Sequence, residues 1–273
     1  MQRACEIILL GNDEGTAEVA KDFKVRHLPT VKRNEQGTPL VSSIFAEAQA
    51  AATYPRLCYV NADIILMSDF LSTIQTVWQK IDRALMVGRR WDVEIRERLE
   101  FTYGWEKRLG AKTLLYGKQQ VPSAIDYLVF TKGMFGEIPP FAVGRPNWDN
   151  WMLYCARLKN IPIVDLSRCV EVVHQNHDYS HHPDGDRMWD GQEARQNMEL
   201  AGGQMHLYTI LDAQYYVTKK GVQRRRLHFY GLYRFLLFLS QRHAALKPIV
   251  TLIRRVRDTC RCRGNLIYPR SIP

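Results

Sequence analysis

The fold is indicated first by one ten-residue stretch, Leu57-Cys58-Tyr59-Val60-Asn61-Ala62-Asp63-Ile64-Ile65-Leu66. Its first four residues favour extended backbone and predict a short, fully buried β-strand. Asn-Ala-Asp follows, and then a second apolar run begins. Open α/β sheets bind ligands at the carboxyl ends of their strands, so Asp63 is a candidate ligand-binding residue. The local sequence by itself also fits Asp63 as the cap of a turn.

Strand-like and helix-like patterns alternate along the chain and predict an α/β fold. Residues 6–10 and 25–28 are predicted strands on either side of a predicted helix, an order typical of half a nucleotide-binding sheet. Further strands are predicted at residues 85–88, 123–130, 161–166 and 169–173. Further helices are predicted at residues 40–52, 69–81, 94–99 with a continuation towards 109, 152–159 and 189–200.

The net charge of +10 is unevenly distributed along the chain. Residues 219–273 contain 14 Lys or Arg and one acid, Asp258, a balance of +13. Residues 1–218 contain 24 Lys or Arg and 27 Asp or Glu, a balance of −3. This change predicts a domain boundary, with a slightly acidic domain at 1–218 and a basic, aromatic-rich helical extension at 219–273.

The composition is typical of a soluble globular protein, with 46% hydrophobic and 24% charged residues. The sequence contains no run of 18 apolar residues, and the apolar stretch 7–10 is too short for the core of a signal peptide. Six cysteines occur without a metal-ligand pattern, and Cys58 falls inside the predicted buried strand. These features predict reduced thiols in a cytoplasmic protein.

The basic extension has three candidate roles. Basic residues beside the aromatic, leucine-rich run at 227–239 suit a helix lying on an anionic membrane surface, here the inner membrane face. The same pattern fits a helix packed on the protein with a solvated basic face. Nucleic acid binding is the least favoured role, because residues 1–218 contain no nucleic-acid-binding motif.

A histidine cluster follows the predicted strand at 169–173. Four of the eight histidines fall within nine residues, His174, His177, His181 and His182. Neutral imidazole is a common ligand for Mn, Zn and similar ions, so a metal role for at least one of them is predicted. Pro183-Asp184-Gly185-Asp186 indicates a loop rather than a helix.

Other polar residues stand beside predicted strand or helix ends, and each has a structural alternative. Asn12 and Asp13 suit a ribose or base contact, or an ordinary strand-to-helix turn. Arg89 and Arg90 suit phosphate binding, or surface salt bridges. Asp149 suits a catalytic carboxylate, or a helix cap whose charge the helix dipole stabilises.

Taken in order, these pieces resemble bacterial glycosyltransferases of the GT-A, nucleotide-diphospho-sugar transferase type. The resemblance spans about residues 5–215 and is carried by residues 59–66, 87–92, 126–127, 138–151 and 174–181. It implies a three-layer αβα arrangement with a mostly parallel, mixed sheet. The chain departs from the family at its start, which corresponds to the second strand rather than to the strand and helix that line the nucleotide-base pocket.

The resemblance also implies roles for individual residues. Asn61-Ala62-Asp63 matches the family's Asp-X-Asp motif, with Asn61 in the first acidic place and Asp63 as a ligand of a divalent metal, Mn or Mg. His174 matches the histidine that completes the coordination, with His177 as the second candidate. The remaining roles are general base for Asp149, orientation of sugar or acceptor for Asp126, and donor or acceptor binding for Arg89, Arg90, Trp148 and Asn150.

Three functional hypotheses follow. The first is a metal-dependent glycosyltransferase that uses a nucleotide-diphosphate sugar and a carbohydrate or other hydroxyl acceptor. The second is a metal-dependent hydrolase that uses the cluster at 174–182 with Asp178, Asp184 and Asp186. The third is a non-catalytic relative that retains the sheet.

Overall fold

The computed structural model describes residues 5–176, 189–226, 229–246 and 248–253. The described strands are β1 (Ile8–Leu10), β2 (Arg26–Leu28), β3 (Arg56–Val60), β4 (Ile64–Leu66), β5 (Leu85–Val87), β6 (Trp91–Val93), β7 (Lys118–Gln119), β8 (Tyr127–Thr131), β9 (Ile163–Asp165), β10 (Val172–Gln175), β11 (Tyr215–Thr218) and β12 (Gly221–Arg224). The described α-helices are α1 (Thr16–Phe23), α2 (Val41–Ala51), α3 (Asp69–Trp78), α4 (Trp105–Tyr116), α5 (Trp148–Leu158), α6 (Gln192–Leu200) and α7 (Phe229–Arg242).

The main sheet has six strands in the order β12-β11-β9-β5-β8-β3. The pairs β5–β9 and β9–β11 are parallel, whereas β8 is antiparallel to both β3 and β5, and β12 is antiparallel to β11. Consequently β3, β5, β9 and β11 share one direction. The predicted α/β class with a mixed sheet is confirmed.

Helices cover both faces of this sheet, because alternate residues of its strands point into different cores. Leu128 and Phe130 of β8 belong to one apolar cluster together with residues of α2 and α5. Tyr127 and Val129 belong to a second cluster together with Phe70, Ile74 and Val77 of α3. Strand β8 is therefore buried on both faces, which explains its nearly continuous apolar sequence.

Two smaller sheets accompany the main one. Strands β4, β10, β6 and β7 form a four-stranded sheet in that order, in which β10 is antiparallel to β4 and parallel to β6. Strands β1 and β2 form a parallel pair. In the described part of the chain, β3 pairs with β8 alone and forms one end of the main sheet.

Two local predictions are wrong. Cys58 was expected inside a fully buried strand, yet its side chain is exposed, because β3 lies at the end of the sheet and alternates between exposed and half-buried residues. Residues 94–104 were expected to be helical, yet α4 begins only at Trp105. The pairing of β6 with both β7 and β10 extends the backbone just before this segment, and tertiary contacts of this kind override local helix preference.

The chain divides into two compact units, Met1–Arg225 and Arg226–Pro273. The charge pattern predicted the boundary after residue 218, which falls inside the antiparallel hairpin of β11 and β12. The structure therefore assigns this hairpin to the first unit. Within the described residues, no helix combines the length and the apolar character needed to cross a bilayer.

Gly88 occupies a position without room for a side chain. A Cβ atom at Gly88 would overlap the phenolic oxygen of Tyr127 and lie 3.1 Å from its Cζ atom. We expect Gly88→Ala to lower the free energy of unfolding by about 1–3 kcal/mol in urea denaturation, the usual range for overpacking. The Tyr127→Phe background removes the overlapping oxygen and should reduce this loss. Equal losses in both backgrounds would contradict the steric cause.

Candidate functional site

The antiparallel pairing of β3 and β8 brings Asn61 and Asp126 together. Val60 pairs with Tyr127, so the residue after β3 lies opposite the residue before β8. The Asn61 side-chain amide donates to Asp126 Oδ1 over 2.9 Å, and its backbone N–H donates to the Asp126 carbonyl over 3.1 Å. The Tyr59 hydroxyl donates to Asn61 Oδ1 over 2.9 Å. Asn61 therefore holds the buried carboxyl group of Asp126 in place.

The four-stranded sheet brings Asp63 and His174 together. His174 of β10 pairs with Ile64 of β4, and the Gln175 N–H donates to the Asp63 carbonyl over 3.1 Å. Asp63 Oδ2 lies 3.2 Å from His174 Nε2. His174 is 5% exposed, so this contact between two sequence-predicted metal ligands is largely shielded from solvent.

Asp92 lies on the other side of the same imidazole ring. Strand β6 runs parallel to β10 and pairs Asp92 with His174, which places Asp92 Oδ1 3.3 Å from His174 Nδ1. The imidazole ring therefore lies between two carboxylates, one near each ring nitrogen. The sequence analysis missed the role of Asp92 in this arrangement. The sequence signal for the role of Asp92 was a single acid between two apolar residues of a strand, Trp91 and Val93.

Arg90 connects the two groups of residues. Its Nε donates to Asp92 Oδ1 over 2.8 Å, and its terminal NH1 donates to Asp126 Oδ1 over 2.6 Å. Burial lowers the pKa of Arg90, but the carboxylates of Asp126 and Asp92 outweigh burial, and the pKa rises overall. Asp92 is also held by Gln120, whose side-chain amide donates to Oδ2 over 2.6 Å. The predicted phosphate contact of Arg90 remains a prediction.

Arg89 has a different environment. Its Nε donates to the Gln120 carbonyl over 2.6 Å, and its backbone N–H donates to Ser167 Oγ over 2.8 Å. Among the described residues it makes no ion pair, and burial lowers the pKa of its guanidinium. Of the two arginines, Arg89 is therefore the better candidate for an external anion.

Asp149 lies in the first turn of α5, two residues after the N-cap residue Asn147, which has a φ of 87°. Burial raises the pKa of Asp149 to about 7, the Asp126 carboxylate adds to this, and backbone N–H donors oppose it. Burial and the carboxylates of Asp126, Asp149 and Asp63 also raise the pKa of Tyr59. The Tyr59 phenol is thus within electrostatic reach of all three acids.

Two residues near Asp149 that were predicted to bind substrate make their contacts with other residues of the protein. Trp148 is 6% exposed and packs edge-on against Tyr59, with ring centroids 5.1 Å apart. The side-chain amide of Asn150 donates to the carbonyl oxygens of Ser123 and Tyr208 over 3.2 and 2.8 Å. Both residues support the walls of the site, and their contacts with substrate remain predictions.

Asn12 and Asp13 lie in the loop after β1. The terminal NH2 of Arg33 donates to Asn12 Oδ1 over 2.7 Å and lies 3.5 Å from Asp13 Oδ1. Within the described part of the chain, no hydrogen bond or ion pair joins them to Asp63, Asp126 or His174. Their predicted contact with a ribose or base is therefore not supported by a link to the other site residues.

The histidine cluster is described only in part. His177, His181, His182, Asp178, Asp184 and Asp186 lie outside the described residues. In the ranges that the structure does describe, no group of three or more His, Cys, Asp and Glu side chains is arranged to hold a metal ion. Asp63 and His174 Nε2 provide two candidate ligands on one side of the ring, and Asp92 lies on the opposite side.

Comparison of the sequence with models of known protein families gives no match. Comparison with curated proteins also gives no match.

The raised pKa of Asp149 predicts a pH effect on stability. An unfolded Asp has a pKa near 3.9, so between about pH 4 and 7 the folded protein binds more protons than the unfolded chain. Stability therefore falls as the pH rises through this range. In urea titrations, the free energy of unfolding of Asp149→Asn should rise relative to that of the wild type by about 1–2 kcal/mol between pH 5 and pH 8. This range is reduced for partial exposure of the side chain.

The control is Asp82→Asn, since the Asp82 side chain is 94% exposed and pairs only loosely with Arg56, at 3.4 Å. This control should follow the wild-type pH profile. Parallel profiles for Asp149→Asn and the wild type would contradict the shifted pKa.

Proposed function

We propose that this chain is a metal-dependent glycosyltransferase that moves a sugar from a nucleotide-diphosphate donor to an acceptor hydroxyl. The observation that carries the proposal is the position of the His174 ring, with Asp63 at Nε2 and Asp92 at Nδ1. A buried imidazole with a carboxyl group near each ring nitrogen is suited to binding a metal.

Asp63 and His174 would hold the metal, and Asp92 lies beside the other nitrogen of the imidazole ring. Carboxylate and imidazole ligands suit Mn or Mg better than metals that prefer thiolates. The bound metal would stabilise the negative charge that accumulates on the leaving diphosphate. The resemblance to GT-A glycosyltransferases, carried by the Asn61-Ala62-Asp63 motif, points to this use of the two ligands.

The nearby residues suit binding of the donor and acceptor. Arg89 would donate to a phosphate oxygen, as a guanidinium without an ion-pair partner among the described residues. Asp126 Oδ2 is buried and makes no hydrogen bond with the described residues, so it is available to accept one from a sugar hydroxyl. Asn61 and Arg90 fix the other oxygen of Asp126 and thereby its orientation.

Asp149 would act as the general base. A bond forms between the acceptor oxygen and the anomeric carbon, the bond from that carbon to the diphosphate oxygen breaks, and the acceptor proton passes to Asp149. A pKa of about 7 suits this role, because the group then accepts a proton readily near neutral pH while part of the population is ionised.

Calorimetry with a panel of nucleoside diphosphates, with and without Mn, tests the binding step. We expect Mn-dependent binding that Asp63→Ala abolishes and that Asp92→Asn weakens by about 10–100-fold, the usual effect of changing a carboxylate beside a metal-ligating histidine. Asp82→Ala, an exposed carboxylate elsewhere, is the matched control.

Two outcomes would contradict the proposal. Metal binding that is indifferent to nucleotide would favour the hydrolase, and no binding at all would favour a non-catalytic relative. Release of nucleoside diphosphate from nucleotide sugars then tests the chemistry: Asp149→Asn should retain Mn-dependent binding and lose about 100-fold or more in turnover.

The second unit suggests where the protein acts. Helix α7 carries five Phe or Tyr residues and the basic residues Arg234 and Arg242, a composition suited to an anionic membrane surface. We propose further that the protein is cytoplasmic and that it binds the inner membrane face through residues 219–273. Nucleic acid remains the disfavoured partner.

Flotation with vesicles tests this part of the proposal. Because the attraction is largely electrostatic, the chain should float with anionic vesicles at about 0.1 M salt and be released at about 1 M. Charge reversal in the extension, Arg234→Glu with Arg242→Glu, should weaken flotation. Neutral vesicles are the control, and failure to float with anionic vesicles at low salt would exclude membrane binding by the extension.

A further inference from the structure

Helix α4 ends in three consecutive apolar residues that are almost fully exposed. Leu114, Leu115 and Tyr116 are 80%, 72% and 76% exposed, and Val121, just beyond the helix, is 57% exposed. We call these four residues the α4 patch. Single exposed apolar residues are common on protein surfaces, whereas a contiguous group marks a surface that contacts an apolar partner.

The core does not account for the α4 patch. The inner face of α4 consists of residues spaced four apart, Trp105, Leu109 and Thr113. Leu109 and Thr113 are 3% and 2% exposed, and Leu109 belongs to an apolar cluster with Val93 of β6 and other residues. Leu114 and Leu115 point away from this packed face, so burying them requires a partner other than this cluster.

The charges nearest the α4 patch along the chain are all positive, whereas the Glu171 carboxylate lies beside Gly110, earlier in α4. Residues 107–125 contain four Lys or Arg and no Asp or Glu. Lys112 and Lys118 are exposed on either side of the Leu-Leu-Tyr run. The single acid of α4, Glu106, accepts hydrogen bonds from the Ser68 backbone N–H and hydroxyl at the other end of the helix. A partner for this surface therefore needs an apolar interior and negative charge at its boundary.

We propose that the α4 patch docks on an anionic membrane surface. Leu114, Leu115 and Tyr116 would enter the boundary between headgroups and acyl chains, and Lys112 and Lys118 would lie at the lipid phosphates. Apolar side chains bordered by cations are typical of helices that bind in this interface. This contact lies in the first unit and is additional to the one proposed for the basic extension.

The position of the α4 patch also indicates an acceptor class. Strand β7 follows the helix directly, and Gln120 then contacts two site residues: its amide donates to Asp92, and its carbonyl accepts from Arg89. The same short segment thus joins the docking surface to the site. This step rests on the proposed glycosyltransferase function, and it identifies the acceptor as a hydroxyl of a membrane-bound molecule.

Site-specific photo-cross-linking tests the docking directly. The full chain would carry p-benzoylphenylalanine at position 115 or at position 23, mixed with vesicles containing about 30% phosphatidylglycerol to supply anionic headgroups. Phe23 is a matched control, since it is 70% exposed in the same unit but stands between charges of opposite sign, Asp22 and Lys24. We expect lipid adducts several-fold more abundant from position 115 than from position 23.

Each other outcome overturns the proposal. A chain-to-chain adduct at position 115 in place of a lipid adduct would mean that a second copy covers the surface. Equal lipid labelling at both positions would mean non-specific contact. Because cross-linking requires no catalysis, its result stands whether or not Mn-dependent nucleotide binding is found.

Flotation provides a second measurement. Leu114→Ser with Leu115→Ser should lower the vesicle-bound fraction at a fixed salt concentration several-fold, whereas Phe23→Ser should leave it unchanged. Both changes are at exposed positions, so thermal unfolding should remain close to that of the wild type. An unchanged bound fraction in the double variant would contradict docking through the α4 patch.

Discussion

The site depends on the pairing of β8 with β3 and β5, two strands that both run antiparallel to it. Because β8 runs antiparallel to both β3 and β5, its amino end lies beside their carboxyl ends. Asp126 before β8 therefore meets Asn61 after β3, and Arg89 and Arg90 follow β5 at the same edge. Burial of β8 on both faces fixes its register, since a shift by one residue would exchange the side chains of the two cores.

Buried charge is the second constraint. Arg90 satisfies Asp92 and Asp126 together, and Asp92 in turn faces His174, so the positions of two carboxyl groups and one imidazole are coupled. Removing one member of such a network leaves another buried charge without its partner, which is usually more destabilising than losing the pair as a whole.

The site and the α4 patch are surfaces of different kinds. The site itself is polar and largely shielded, whereas the α4 patch is apolar, exposed and bordered by lysines. A soluble helix normally presents polar residues to solvent, so three exposed apolar residues at its end represent a local conflict with stability. Such conflicts are expected where a protein contacts a partner, and the segment that follows α4 leads directly to Gln120 beside Asp92.

The sequence by itself determined the α/β class, the apolar strands β5 and β8, the helices α2, α3 and α5, and Asp63, Asp126 and His174 as candidate site residues. Apolar periodicity and polar residues at strand ends are local signals, and they do not depend on which distant segments pair. Only the tertiary structure decided that β6 is a strand, that Asp92 faces His174, that Cys58 is exposed and that the hairpin of β11 and β12 belongs to the first unit. Those features depend on which distant segments pair, and a two- or three-residue strand carries too little local pattern to specify its partner.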